Sequence, residues 1–217
     1  LYNGTEKTLV LKFPYFRTSY QKRGKPIWDI IKESLPNTAT LALSSILIAI
    51  VAGIFLGILA TLFKGHWLDR ALLLLSTIGM SVPSFFSAIL FSWFFGYVLN
   101  SYTHLNMTGS LYELDDFGES YRIIWKNLIL PSFVLGIRPL AVITQLMRSN
   151  LLEVLSQDYI RTAYSKGLSK YQVIFKHALK NAINPVVTAV SGWFASLLAG
   201  AIFVEYIFGW KGLGKEI

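Results

Sequence analysis

Few side chains in this sequence carry reactive chemistry, and their spacing narrows the choice further. Cysteine is absent from the 217 residues, which removes thiolate nucleophiles, thiolate metal sites and disulfides. His66, His104 and His177 are too scattered to form a ligand cluster. Gly209-Trp-Lys-Gly-Leu-Gly-Lys215 has the spacing of a phosphate-binding loop, but Glu216 stands where a Ser or Thr would hold magnesium. The segment also follows an apolar run instead of a strand. Asn3-Gly-Thr5 and Asn106-Met-Thr108 match glycosylation sequons, a pattern short enough to arise by chance. What remains is a charge in an apolar setting, Arg138, flanked by Leu128 to Met147. Such a cation either faces a cavity, where it could meet a substrate carboxylate, or pairs with a neighbouring acid or snorkels to an interface. Ser84 and Gln145 are weaker candidates for the same polar pathway.

The elements that would position these groups are membrane helices. The chain is 53% hydrophobic and only 15% charged, with a mean hydropathy of +0.50, too apolar for an ordinary soluble surface. A spanning helix needs about 20 mainly apolar residues, and four runs qualify: 38–63, 72–99, 128–147 and 186–208. These predict an all-α, polytopic membrane helical bundle, with 1–36 as a segment before the first helix. Gly53 and Gly57, four apart, should let a neighbouring helix approach closely, and Gly192, Ser196 and Gly200 repeat that pattern. Pro83, between Ser81 and Ser84, should kink the second span. Lys and Arg do not decide orientation. Lys64 and Arg70 join six basic residues in 148–185 on one side, while 1–36, 100–127 and the tail after 208 carry eleven on the other.

The long basic segment 148–185 carries the most local information. Leu152, Leu155, Tyr159 and Ala163 recur at helical spacing, as do Ile174, Ala178, Leu179 and Ile183. Gly167 fits a helix C-terminus that needs a left-handed residue. Ser169-Lys-Tyr-Gln172 has capping-box spacing and should start the next helix. A basic helix-turn-helix is the usual shape of a DNA reader, but spans tether both ends here, so no nucleic acid is expected. Membrane lipid is, since basic residues outside the spans can contact anionic headgroups.

The run from Arg148 to Lys170, with His177-Ala-Leu-Lys-Asn-Ala-Ile-Asn-Pro185, resembles the cytoplasmic coupling loop of binding-protein-dependent permeases of the peptide and nickel branch. The general family pattern is Glu-Ala-Ala followed four residues later by Gly. Arg161-Thr162-Ala163 and Gly167 occupy those places, and the absent Glu means that no salt bridge assigned to it carries over. Arg23-Gly-Lys-Pro26, Glu33-Ser-Leu-Pro-Asn-Thr38, Trp67-Leu-Asp-Arg70, Ser81-Val-Pro-Ser-Phe85 and Glu205-Tyr-Ile-Phe-Gly-Trp-Lys-Gly-Leu-Gly214 resemble further family segments in collinear order. The similarity covers roughly 17–217.

This resemblance implies the transmembrane domain of a type I ATP-binding-cassette importer, with four of the family's usual six spans in residues 37–217. It implies a cytoplasmic position for 64–70 and 148–185 and an external one for 1–36, 100–127 and the segment after 208. The expected partners are two ATPase subunits, a second homologous permease and an extracytoplasmic substrate-binding protein, in a bacterial cytoplasmic (inner) membrane. Transport would be of peptides or a related solute such as a nickel chelate, with no cofactor and no catalysis by this subunit. The expected docking surface is Tyr159, Ile160, Arg161, Thr162, Ala163, Tyr164, Lys166, Gly167, Leu168, Ser169 and Lys170, with Tyr159, Ile160 and Tyr164 as apolar anchors and Arg161 and Lys166 at a polar rim. A secondary transporter or channel would use intramembrane charge pairs, and the candidates are limited to Arg138 and, near a span end, Glu205. A membrane enzyme would need convergent His or acidic groups within the spans, which the sequence lacks.

Overall fold

The computed structural model describes residues 18–19, 22, 24–114 and 121–216. Asn3 and Arg23 lie outside them, as does all of 1–17. The first helix, α1, runs from Ile27 to Leu62, eleven residues earlier than the apolar run suggested. Its entry is pinned by an isolated bridge between Thr18 and Pro26. The start can be polar because the first turns sit outside the apolar stretch, where Lys32 lies over the Trp28 ring at 5.4 Å.

A short turn at Gly65 leads into α2, Trp67–Ser81. Pro83 lacks the N–H that would continue that helix. The chain turns there through 109° into α3, Ser84–Trp93, which continues as a wide π turn at Phe94–Val98. The kink expected in the run 72–99 is thus a sharp corner between two helices. A four-residue helix, α4 (Asn100–Thr103), follows. Then comes a small antiparallel hairpin of β1 (Tyr112–Leu114) and β2 (Tyr121–Ile123), with Tyr112 opposite Ile123. It is the one β element among the described residues.

The longest later helix, α5, spans Lys126–Leu155. It runs alongside α1 because small residues let the backbones meet. A Cβ on Gly53 would lie 2.8 Å from Ile143, one on Gly57 2.8 Å from the Thr144 carbonyl, and one on Gly136 2.8 Å from the Ser45 carbonyl. Ser44 and Ser132 share a 2.6 Å hydrogen bond across the same seam. By length and composition α1 and α5 can each cross a membrane.

After α6 (Asp158–Ser165) the chain forms a continuous helical stretch of α7 (Lys170–Gln172), a π turn (Val173–Ala178) and α8 (Leu179–Ala182). It bends by 49° into α9, Asn184–Gly200. Pro185 sits in the first turn of α9, where its missing N–H costs nothing. The expected span 186–208 is interrupted at Ala201, and Ile202–Phe208 forms a separate helix, α10. Gly192 packs on nothing among the described residues, so the small-residue face of α9 is open, unlike that of α1.

Two apolar cores result. One joins the first half of α1 and the start of α5 to α10 through Leu41, Ile46, Val134, Val204, Phe208 and Trp210. The other joins the far halves of α1 and α5 to the loop helices through Ile58, Ile143, Met147, Leu151, Ile160 and Ile174.

Candidate functional site

The segment leaving α5 is built by local rules. The chain turns at Ser156 and Gln157, where the Ser156 hydroxyl donates to the Glu153 carbonyl at 2.7 Å. Eight residues then form α6. Its C-terminus is closed by a Schellman motif: Gly167 has φ +80°, its N–H donates to the Tyr164 carbonyl at 2.9 Å, and the Leu168 N–H reaches the Ala163 carbonyl at 3.4 Å. A capping box opens the next helix at once. The Ser169 N–H donates to Gln172 Oε1 at 3.0 Å and the Gln172 N–H to Ser169 Oγ at 3.4 Å.

The helix is fixed from beneath. Ile160 is fully buried and Ala163 nearly so, against Val173, Ile174 and Leu151. Lys170 Nζ donates to the Leu62 carbonyl at 3.0 Å, satisfying an orphan acceptor at the end of α1. Asn181 Nδ2 donates to the Tyr159 hydroxyl at 2.8 Å. Tyr159, Arg161, Thr162, Tyr164, Lys166, Gly167, Ser169 and Lys170 are exposed, and Leu168 is half-buried. Two expectations are corrected here. Ile160 is not an anchor offered outward, and Ala163 is not part of an exposed surface. The break at Ser156–Gln157 resets the helical phase, so this i, i+3 pair becomes the inner face.

An ion pair unnoticed in the sequence ties this region to the spans. Arg148 holds Asp69 with a fork of two bonds, Nε to Oδ1 at 2.6 Å and Nη2 to Oδ2 at 2.8 Å. The Gly65 N–H adds a third bond to Oδ2 at 3.0 Å. Asp69 is only 3% exposed. The pair therefore locks the start of α2 to α5 about two turns before α5 ends. The available signal was an acid just before one apolar run and a base just after another, at ends that must meet.

The candidate pathway residues separate. Ser84 and Arg138 line one cavity of about 130 Å³ at the α2–α3 corner, with Trp193 and Ser196 of α9. Arg138 reaches the Met80 carbonyl at 3.4 Å, at the end of α2 where the corner frees an acceptor. Gln145 is half-buried two turns farther along α5 and does not line that cavity.

At the opposite end, Glu205 is fully buried yet satisfied. Thr38 Oγ1 donates to its Oε1 at 2.6 Å and the Gly214 N–H to its Oε2 at 2.7 Å. A Cβ on Gly212 would collide with that carboxylate, and one on Gly214 would lie 2.9 Å from it. The glycines of 209–215 thus make room for an internal carboxylate, and the Gly214 amide that a phosphate loop would offer is already committed. Asn106 of the described sequon donates to Asn127 Oδ1 at 2.7 Å. Among the described residues no group of three His, Asp or Glu could hold a metal.

Known proteins share this plan. The chain is 35% identical over 200 residues to the dipeptide transport system permease protein DppB of Bacillus subtilis (strain 168), covering 92% of this chain and 60% of that protein. It is 38% identical over 205 residues to the oligopeptide transport system permease protein AppB of the same organism, covering 92% and 62%. The chain thus spans about three-fifths of the length of these relatives. In fold it resembles the MetNI methionine ABC transporter in an inward-facing conformation, with a TM-score of 0.63, 17% identity, and coverage of 88% of this chain and 79% of that one. Residues 49–217 match the family described as the binding-protein-dependent transport system inner membrane component. This chain, a multi-pass helical membrane protein, belongs to that family.

Proposed function

We propose that the chain forms part of the translocation pathway of an ATP-driven importer of peptides in a bacterial cytoplasmic membrane. The printed names of its relatives, dipeptide and oligopeptide permeases, support the substrate class. The observation that carries the coupling role is α6 itself. It is a short helix closed by caps at its exit, supported from beneath by the ends of α1 and α5, and exposed through Tyr159, Arg161, Thr162, Tyr164 and Lys166. A helix held this firmly with an outward aromatic and basic face suits docking into a cleft of an ATPase subunit. Closure of that cleft would then rock the attached spans between two states. A second homologous permease and an extracytoplasmic binding protein complete the assembly in this reading.

Reconstitution of the full-length permease tests it. With both ATPases, the second permease and a loaded binding protein, liposomes should accumulate radiolabelled peptide only when ATP is present. The permease without its ATPases should accumulate none. Uptake by the isolated subunit would replace this reading with a secondary transporter, and uptake of a nickel chelate but of no peptide would change the substrate class.

A further inference from the structure

The bundle has two kinds of exposed apolar-depth surface. On α1, Leu43, Leu47, Val51 and Phe55 recur every four residues and are each more than half exposed, a surface suited to hydrocarbon. On α9 one exposed stretch, Ser191, Gly192, Ala195, Ser196 and Ala199, is small or hydroxylic, although Val187 and Leu198 of the same helix are exposed as well. Beside that second surface lies the cavity containing Arg138. This residue is twelve positions into α5, about 18 Å along it at 1.5 Å per residue, so it sits deep within the helix that crosses the membrane.

Among the described residues Arg138 meets no carboxylate, and its guanidinium makes a single long bond, to the Met80 carbonyl. Ser84 and Ser196 line the same cavity. An arginine at this depth is costly unless water or an anion answers its donors. Its planar fork matches a carboxylate with two parallel N–H bonds, and serine hydroxyls supply further donors of the right reach. The apolar wall of Trp193, Val134 and Leu197 leaves a space of about 130 Å³. That accommodates a carboxylate and its first carbons.

We propose that Arg138, with Ser84 and Ser196, forms a subsite on the translocation pathway that receives the C-terminal carboxylate of a peptide in transit. This rests on the peptide-import reading above and adds a residue-level specificity to it. The subsite accepts the free acid and discriminates against a peptide whose C-terminus is a neutral amide.

The test uses the complete reconstituted importer with saturating binding protein and two probes, tri-alanine and tri-alanine amide. Uptake is expressed per ATP hydrolysed, which removes the binding protein's own preference. Wild-type importer should favour the acid at least tenfold. Arg138→Gln should bring the ratio of acid to amide uptake down to about one, and Arg138→Lys should restore part of the preference. Equal loss of both probes in an assembled complex would mean a structural role and overturn the subsite, as would an unchanged acid preference in Arg138→Gln. Should Arg138→Gln fail to assemble, Arg138→Lys decides: retention of the full wild-type preference overturns the proposal, because a point charge does not reproduce the fork. Absence of ATP-dependent tri-alanine uptake by the wild type would instead overturn the import reading, and the subsite with it.

Discussion

The two ends of this bundle solve opposite problems. At one end the polar groups turn inward: Glu205 takes its hydrogen bonds from Thr38 and Gly214, and the Trp210 indole donates to the Asn37 carbonyl at 3.1 Å. At the other end the polar groups are placed outward on α6, and only Ile160 and Ala163 of that helix are buried. The first end is closed upon itself, whereas the second is capped but exposed. Rigidity can therefore come from a buried network or from backbone caps, and only the caps leave a surface free.

Substitutions should separate the two designs. Glu205→Ala is expected to have the largest effect, because it strands two donors at about 1–3 kcal/mol each and opens a cavity, together on the order of 5 kcal/mol. Thermal unfolding of the purified complex should fall sharply, while any complex that survives keeps its ATP coupling. If stability is unchanged, the inward network is not what holds that end. Asp69→Ala leaves the Arg148 guanidinium partly buried and unpaired, for a loss of about 3 kcal/mol, at the low end for a broken buried pair because Arg148 keeps some contact with solvent. The expected result combines a modest loss of melting temperature with weaker coupling, since the pair belongs to the spans and to the docking end alike.

Gly167→Val should cost less stability but more function. Nothing lies within 4 Å of a new Cβ there, so the penalty is the left-handed backbone itself, on the order of 1–2 kcal/mol for a β-branched residue. The spans should remain folded while ATPase retention in pull-down and substrate-stimulated hydrolysis are lost, with Gly167→Ala milder. Retained ATPases in the valine variant would remove α6 from the coupling role. The smallest effect is expected from Lys170→Met, which gives up one exposed bond to the Leu62 carbonyl, about 1 kcal/mol or less. Orientation can be read separately with single cysteines at the exposed Ser165 and Thr108. An impermeant thiol reagent added to intact cells should label position 108 and spare 165, and the reverse would invert the topology.

What the sequence revealed follows the range of the interactions. The Gly167 turn and the Ser169–Gln172 box were readable because a cap is encoded within about four residues. The Gly53–Gly57 spacing likewise announced a close helix contact, though not that α5 would supply it. Pro83 marked where the second run breaks, but a missing N–H does not set an angle, and the 109° corner depends on what α3 packs against. The resemblance implies Ile160 as an outward anchor, whereas the phase that buries it is set by the break at Ser156–Gln157, which no local spacing announces. Asp69 and Arg148 lie 79 residues apart, and nothing local to either names the other.

The bond between Thr38 and Glu205 joins residues 167 positions apart, and the Asn37 amide donates to the Lys211 carbonyl across 174. At ribosomal speeds of roughly 5–20 residues per second, Thr38 waits on the order of 10–30 s for its partner to be made. During that interval the first helix is already in the membrane with its entry polar groups unanswered. Closure of this end consequently waits for the synthesis of residues 205–214, and a nascent chain halted before residue 205 should remain open there, sensitive to proteolysis near residue 37 until that segment arrives.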